Sequence, residues 1–374
     1  MIKNAIIYRI GPHWQTDDLE QFELALTSNI YVSAAPSQET SSGWTPPRGE
    51  EHGALVEAIG GQLVLKFMVE TKAVPSSALD AKVKEKAKEI EATTGRKPGR
   101  KESKEIKAEI KLSMLPMAFS KRASTLVWIN RNAGLMVIDA STNSRADEVV
   151  TALVRALDGF SVALLDTQIS PTSAMAGWLL TQDAPAGFAI ERGCELKSSD
   201  ESKSVVRYDR HSLDLDEIKQ HISQGKLPTR LAMSWNDRVF FNLTQGGQLR
   251  KIDFADVVFE EKSVDDGGFD ADVAIMTGEL AKMLPDLIEA LGGKAQHPAA
   301  TPGVHAPVGD EADPLYDEAV KIVRESGRAS ISYVQRHLRI SYNRAARLLE
   351  AMETDRVVTP MDSSGARKVI GGAA

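Results

Sequence analysis

The feature that most constrains this chain is a break in it. Residues 297–312 run His-Pro-Ala-Ala-Thr-Pro-Gly-Val-His-Ala-Pro-Val-Gly-Asp-Glu-Ala, with three prolines, two glycines and almost no large apolar side chain. Such a stretch cannot bury enough apolar surface to offset the entropy of ordering it, so it reads as a linker. It divides the 374 residues into a large region, 1–296, and a small one, 313–370, with a tail at 371–374. Each region must build its own core. The overall 42% hydrophobic and 26% charged content is that of ordinary globular domains.

Charge is segregated in the same way. The net charge of −7 argues weakly against a nucleic-acid partner. Lys82 to Lys111, however, holds eleven basic residues against six glutamates, a net of +5, and 313–370 holds ten basic against eight acidic, a net of +2. The rest of the chain then carries −14. Two basic elements on an acidic body confine any DNA contact to defined faces.

The small region reads as a winged helix-turn-helix. Leu315–Glu325 forms a first helix, entered through Asp313 as cap and Pro314 in the first turn, and ended by Gly327. Ser330 starts a second helix and Ser341 a third, whose buried side carries Ala345, Leu348, Leu349 and Met352. Val357–Thr359 and Lys368–Ile370 are two short strands around Asp362-Ser363-Ser364-Gly365. The third helix presents Asn343, Arg344 and Arg347, the residue types that bond base edges in the major groove. Gln335, Arg336 and Arg339 at the preceding turn, with Arg367 and Lys368 on the wing, are candidates for backbone phosphates. A protein-gripping winged helix with a solvated polar face is the other reading.

Three strings carry a closer likeness: Asp313-Pro314-Leu315-Tyr316-Asp317, Ala329 to Arg336, and Tyr342-Asn343-Arg344-Ala345-Ala346-Arg347. Together they resemble the gamma domain of the FtsK DNA translocase, which reads short oriented sequences and contacts a tyrosine recombinase. The resemblance implies that Asn343, Arg344 and Arg347 face the bases. The motor itself is not expected. A phosphate-binding loop needs Gly, four residues, then Gly-Lys-Ser/Thr, and the nearest string, Gly292-Gly293-Lys294-Ala295, lacks both ends of that pattern.

Residues 1–296 alternate in ways that predict a mixed α/β body with antiparallel sheets, an α+β class. Strand-like runs fall at Ala5–Ile10, Leu63–Val69, Thr125–Asn130, Leu135–Ala140, Leu231–Trp235, Val239–Leu243 and Leu249–Phe254. Short Gly-containing loops at 131–134 and 244–248 predict two hairpins. Helices are expected over Asp17–Ser28, Ser76–Ile90, Lys101–Lys111 and Leu280–Leu291. The middle two are highly charged and separated by a Gly/Pro turn, so they should project rather than fill a core.

This region resembles the RdgC recombination-associated family through Tyr8-Arg9, Gly43-Trp44-Thr45-Pro46-Pro47, Leu115 to Ser120, Phe269 to Asp272 and Met276 to Ala281, in order over the whole region. The resemblance implies a curved protomer that dimerises into a ring around double-stranded DNA and restrains RecA-dependent recombination. RecA, or a tyrosine recombinase, then enters as an indirect partner. It also implies that Phe119 inserts into the partner protomer and that Arg210 and His211 close the second contact at a projecting tip. The family has a Lys-Gln pair at that tip, so one charge is kept and the other partner altered. Basic candidates for the ring interior are Lys82, Lys84, Lys97, Arg100, Lys101, Lys121, Arg122 and Lys226.

Enzyme chemistry has little to build on. Asp270, Asp272 and Glu279 are the obvious carboxylates for a metal-dependent nuclease, but they read as strand-edge and helix-cap residues. The seven histidines show no metal-ligand spacing, and Cys194 has no neighbouring histidine to activate it. A lone cysteine also excludes an internal disulfide and fits a reducing cytoplasm. No run approaches the ~20 apolar residues of a membrane helix, and the N-terminus lacks a signal-peptide pattern. The expectation is a cytoplasmic, nucleoid-associated protein with no catalytic site, metal, cofactor or membrane partner. A nuclease and a protein-binding adaptor are the alternatives.

Overall fold

The computed structural model describes all residues except 13, 15–17, 201, 261–267, 296–312, 314, 339, 341, 361–366 and 371–374, and leaves the side chains of 332, 342 and 343 undescribed. The linker expected at 297–312 thus lies outside the described residues.

The body runs β1 (Asn4–Ile10), α1 (Leu19–Thr27), β2 (Thr40–Thr45), β3 (Val56–Ile59), β4 (Gln62–Ala73), α2 (Ser76–Thr94), α3 (Arg100–Met114) and a short 3₁₀ turn (Leu115–Met117). It continues through β5 (Phe119–Asn130), β6 (Leu135–Ile138), α4 (Asn143–Ala156), β7 (Val162–Leu164), α5 (Pro171–Thr181), β8 (Phe188–Ser198), β9 (Val205–Asp209) and α6 (Asp216–Ser223). Then come β10 (Lys226–Trp235), β11 (Val239–Thr244), β12 (Leu249–Phe254), α7 (Val257–Glu260) and α8 (Phe269–Ala290). The strands form one sheet in the order β2-β4-β5-β6-β1-β12-β11-β10-β8-β9, with β3 on β4 and β7 on β1. Every strand pairing in it is antiparallel. Both expected hairpins form, β5–β6 and β11–β12, and each turn holds a glycine with φ near +62° or +72° (Gly134 and Gly247) that a side chain would strain.

The N-terminal strand explains how one sheet serves two cores. Side chains alternate across a strand, and in β1 Ile6 and Tyr8 enter a core with α1, α4, β4 and β5. Ala5 and Ile7 enter the other, built with α5, α6, α8 and β8 to β12. A strand covered on both faces reads as a continuous apolar run, which is why Ala5–Ile10 stands out in the sequence. Asp18 caps α1 by accepting from the backbone N–H of Glu20 and Gln21 at 3.0 and 3.1 Å. The Gly43-Trp44 pair is architectural. Residues 29–31 pass so close to β2 that a Cβ on Gly43 would sit 2.5 Å from the Tyr31 nitrogen, and Trp44 is buried against Phe67.

Three expectations need correction. Helix α8 begins at Phe269 rather than Leu280, so Asp270 and Asp272 lie in its first turn and not at a strand edge. Glu279 sits inside the helix and does not cap it. Strands β2, β3, β7, β8 and β9 and helices α4, α5, α6 and α7 are additional to those predicted.

The small domain has α9 (Tyr316–Ser326), α10 (Ile331–Leu338) and α11 (Tyr342–Thr354). The cap expected at Asp313 is not made: Leu315 occupies the N-cap position of α9 with no side-chain cap bond, and the Asp313 carboxylate accepts instead from the Leu315 N–H at 3.0 Å and from Arg344. The wing strands reduce to single bridges, Val358–Val369 and Ala329–Arg367. The domain is a winged helix. It rests on the body through α4 and β7: Val154, Ala156 and Leu164 pack on the same apolar cluster as Ala346 and Val369, and Arg155 pairs with Glu350 at 3.4 Å.

Candidate nucleic-acid interface

The basic hairpin stands out first. Strands β4 and β5 pair from Leu63–Ile129 to Ala73–Phe119, and α2 and α3 are inserted between their far ends. Leu79 and Ile106 are the buried residues of the two helices, so this element projects as predicted. A left-handed Gly95 (φ 73°) ends α2. Lys82, Lys84, Lys97, Arg100 and Lys101 are all exposed on it. Part of its charge is internally matched: Arg96 pairs with Glu102 at 2.8 Å, Lys107 with Asp80 at 2.7 Å, and Lys97 weakly with Glu91 at 3.9 Å.

At the root of the hairpin the chain exposes apolar side chains. Phe119 is 90% exposed, Met117 77% and Leu112 54%. A Phe so exposed is no core aromatic. Lys121 and Arg122 follow on β5, both exposed. Arg122 is held by Ser33 at 2.8 Å and by Glu70 at 3.6 Å, and lies 5.9 Å from the Tyr31 ring centroid. Glu70 is buried, and hydrogen bonds from the Ser120 and Tyr31 side chains pull its carboxyl down to about 2. This Tyr31–Glu70–Arg122 network was not read from the sequence; its members lie far apart in it.

Lys226, at the start of β10, is half-buried with its Nζ 3.0 Å from His221 Nδ1. Arg210 and His211 follow the end of β9, exposed. Arg210 adopts a left-handed φ of 55°, and the His211 N–H donates to the Arg192 carbonyl at 3.2 Å. The tip is thus a distinct place from the hairpin, on the β8–β9 edge of the sheet.

In the winged helix the candidates separate. Arg347 and Arg336 are exposed. Asn343 lies on α11, its side chain outside the described residues, as is Arg339 altogether. Arg344 is engaged: its Nε and Nη2 bond the two Asp313 oxygens at 2.9 and 2.7 Å, and that bond holds the Asp313 carboxyl below its usual range. Gln335 is buried in the domain and Arg367 turns inward onto Glu353 at 3.2 Å with its side chain 7% exposed. Both were expected at phosphates, and burial takes both off the surface. Lys368 remains exposed.

Two of the three carboxylates a nuclease would need free, Glu279 and Asp270, are otherwise employed. Glu279 accepts from Arg238 Nε and Nη2 at 2.8 and 3.0 Å, and Asp270 meets Arg48 at 2.6 Å. Among the described residues no group of three or more His, Cys, Asp or Glu side chains is placed to hold a metal ion. Burial pushes the Cys194 thiol up to about 11, so it is protonated at neutral pH and a poor nucleophile. Among the described residues no helix is long and apolar enough to cross a membrane.

Comparison with known proteins finds matches to two family models. A family model described as "Putative exonuclease, RdgC" matches residues 1–294, and one for the FtsK gamma domain matches 310–371. "Recombination-associated protein RdgC" of Dechloromonas aromatica (strain RCB) is 42% identical over 299 residues, covering 78% of this chain and 97% of that protein. Those of Cupriavidus pinatubonensis (strain JMP 134 / LMG 1197) and Bordetella pertussis (strain Tohama I / ATCC BAA-589 / NCTC 13251) are 41% and 40% identical, each over 296 residues, 78% of this chain and 98% of the relative. The chain therefore belongs to the RdgC family and carries an FtsK gamma domain at its C-terminus.

Proposed function

We propose that this protein is a non-enzymatic, double-stranded DNA-binding homodimer that closes into a ring and modulates RecA-dependent recombination at the nucleoid. The C-terminal winged helix biases where the ring sits by reading an oriented sequence. The observation that carries this reading is the pairing of an exposed basic hairpin with an exposed Phe119 at its root, on a body that is otherwise acidic. Basic side chains on one element contact phosphates and release counterions, whereas the acidic remainder repels stray DNA. Phe119 supplies an apolar anchor for a second copy, with Arg210 and His211 at the opposite contact.

Sequence reading falls to Asn343 and Arg347, with Arg344 recruited by exchanging Asp313 for a base edge. A bidentate Arg–guanine contact discriminates by about 1–3 kcal/mol. The test is a gel shift of the full chain on duplexes with and without FtsK-type oriented sites, in magnesium, over a range of salt. Expected are binding to both duplexes, a preference for the oriented one that Arg347→Ala removes, a steep salt dependence, and intact DNA. Metal-dependent cleavage, lost in Asp270→Ala, favours the exonuclease that the family description names. Absence of duplex binding favours an adaptor that grips a recombinase or translocase.

A further inference from the structure

Where the winged helix meets the body there is an open cleft of about 510 Å³ lined by Asn143, Gln248 and Arg250 from the body and by Arg328, Ser330, Tyr333, Arg336 and His337 from the small domain. Among these lining residues are three guanidinium groups and an imidazole, and no carboxylate. Two sets of contacts build it. On the body side, Arg250 Nη1 donates to the Ala140 carbonyl at 2.8 Å and Nη2 to the Gln248 amide oxygen, while the Gln248 amide nitrogen bonds Asn143. These bonds fix the Arg250 head at the mouth of the β11–β12 hairpin, and burial there works against its charge. On the small-domain side, the Tyr333 and His337 ring centroids lie 4.1 Å apart at a 36° tilt, and the Arg328 guanidinium lies 5.8 Å from the Tyr333 centroid. Arg336 reaches across to the hairpin, where a Cβ on Gly246 would be 3.6 Å from its Nη1.

We propose that this cleft is a composite phosphate site, filled by one backbone phosphate of the bound duplex and held jointly by Arg250 of the body and Arg328 and Arg336 of the winged helix. The inference rests on the DNA-binding reading of both parts. Guanidinium forks match phosphate geometry, and amides and hydroxyls beside them serve the same oxygens. The volume lies in the range of sites for ligands much larger than an inorganic anion, which suits a sugar–phosphate unit entering from an open side. An anion held by side chains from both domains bridges them and locks the two in one arrangement. DNA threaded through the ring would thereby set the orientation of the reading helix, and the two binding modules would act as one.

The test is fluorescence anisotropy of the full chain on a 30-bp duplex lacking oriented sites, across a salt series, for wild type, Arg250→Gln, Arg336→Gln and the double variant. Arg328→Gln, on an exposed side chain, guards against misfolding at Arg250. Each single variant is expected to weaken binding about fivefold or more and to lower the salt slope by about one. The double variant is expected to do no worse than the weaker single, because both arginines hold the same phosphate. Multiplicative losses, or duplex binding that all four variants leave unchanged, overturn the composite site while the general DNA reading stands. Failure of the wild type to bind duplex overturns both. Tripolyphosphate is titrated without DNA as the second arm: saturable, Arg250-dependent binding as tight as the duplex makes the cleft a free-polyphosphate site and overturns the nucleic-acid source.

Discussion

Replacing Phe119 by alanine tests the proposed dimer contact separately from the fold. With 90% of Phe119 exposed in one protomer, nearly all of its side chain is available for burial by a second copy. Full burial of a phenylalanine is worth about 1.5–3 kcal/mol. A two-fold contact uses the residue twice, giving about 3–6 kcal/mol per dimer. At about 1.4 kcal/mol per tenfold, the dimer dissociation constant should rise by about a hundredfold to ten-thousandfold. Sedimentation velocity from nanomolar to micromolar protein reads this directly. The melting temperature of the monomer should stay within about 1 °C of wild type, as surface substitutions usually cost under about 0.5 kcal/mol. An unchanged dissociation constant, or a large loss of monomer stability, refutes the reasoning: the first removes Phe119 from the contact, the second returns it to the core.

Two further outcomes follow from the body. Glu70 is buried with its carboxyl held at about 2, below its unfolded value, so the stability it contributes is present above the ordinary carboxylate range and is lost as pH falls from there toward 2. Glu70→Gln should lower stability at pH 7 by about 1–3 kcal/mol and flatten the dependence of melting temperature between pH 5 and pH 3 relative to wild type; an equally steep dependence in the variant places the acid sensitivity elsewhere. Arg238→Ala strands the buried Glu279 without its bidentate partner and should cost about 3–5 kcal/mol, measured by urea unfolding. Glu279→Ala added to it should recover part of that loss, and a purely additive double variant would show that the pair is not coupled.

Much of the architecture was legible because it rests on local rules. The charge of 82–111 keeps most of that segment out of any core, whatever surrounds it. The apolar run Leu63–Val69 and the glycines at 134 and 247 specify a strand and two turns within a few residues of themselves. Illegible elements are those whose identity is supplied by neighbours. β2 is Thr-Ser-Ser-Gly-Trp-Thr, a poor strand alone, and becomes one by pairing with β4 from Thr40–Thr71 to Thr45–Lys66. β8 carries register shifts opposite β10, which blur its alternation.

The same division runs through the candidate interface. The sequence by itself determined which residues are basic and on which segments, and hence that the hairpin and the small domain carry the positive charge. Only the tertiary structure decided which of those charges remain available. Arg344 is taken by Asp313, 31 residues away, and Arg367 by Glu353, while Gln335 is buried. Conversely, Arg250 and Arg336 enter one cleft although 86 residues separate them. Ion pairing and burial depend on distances of a few ångströms between segments remote in the chain, and local pattern carries no record of those distances.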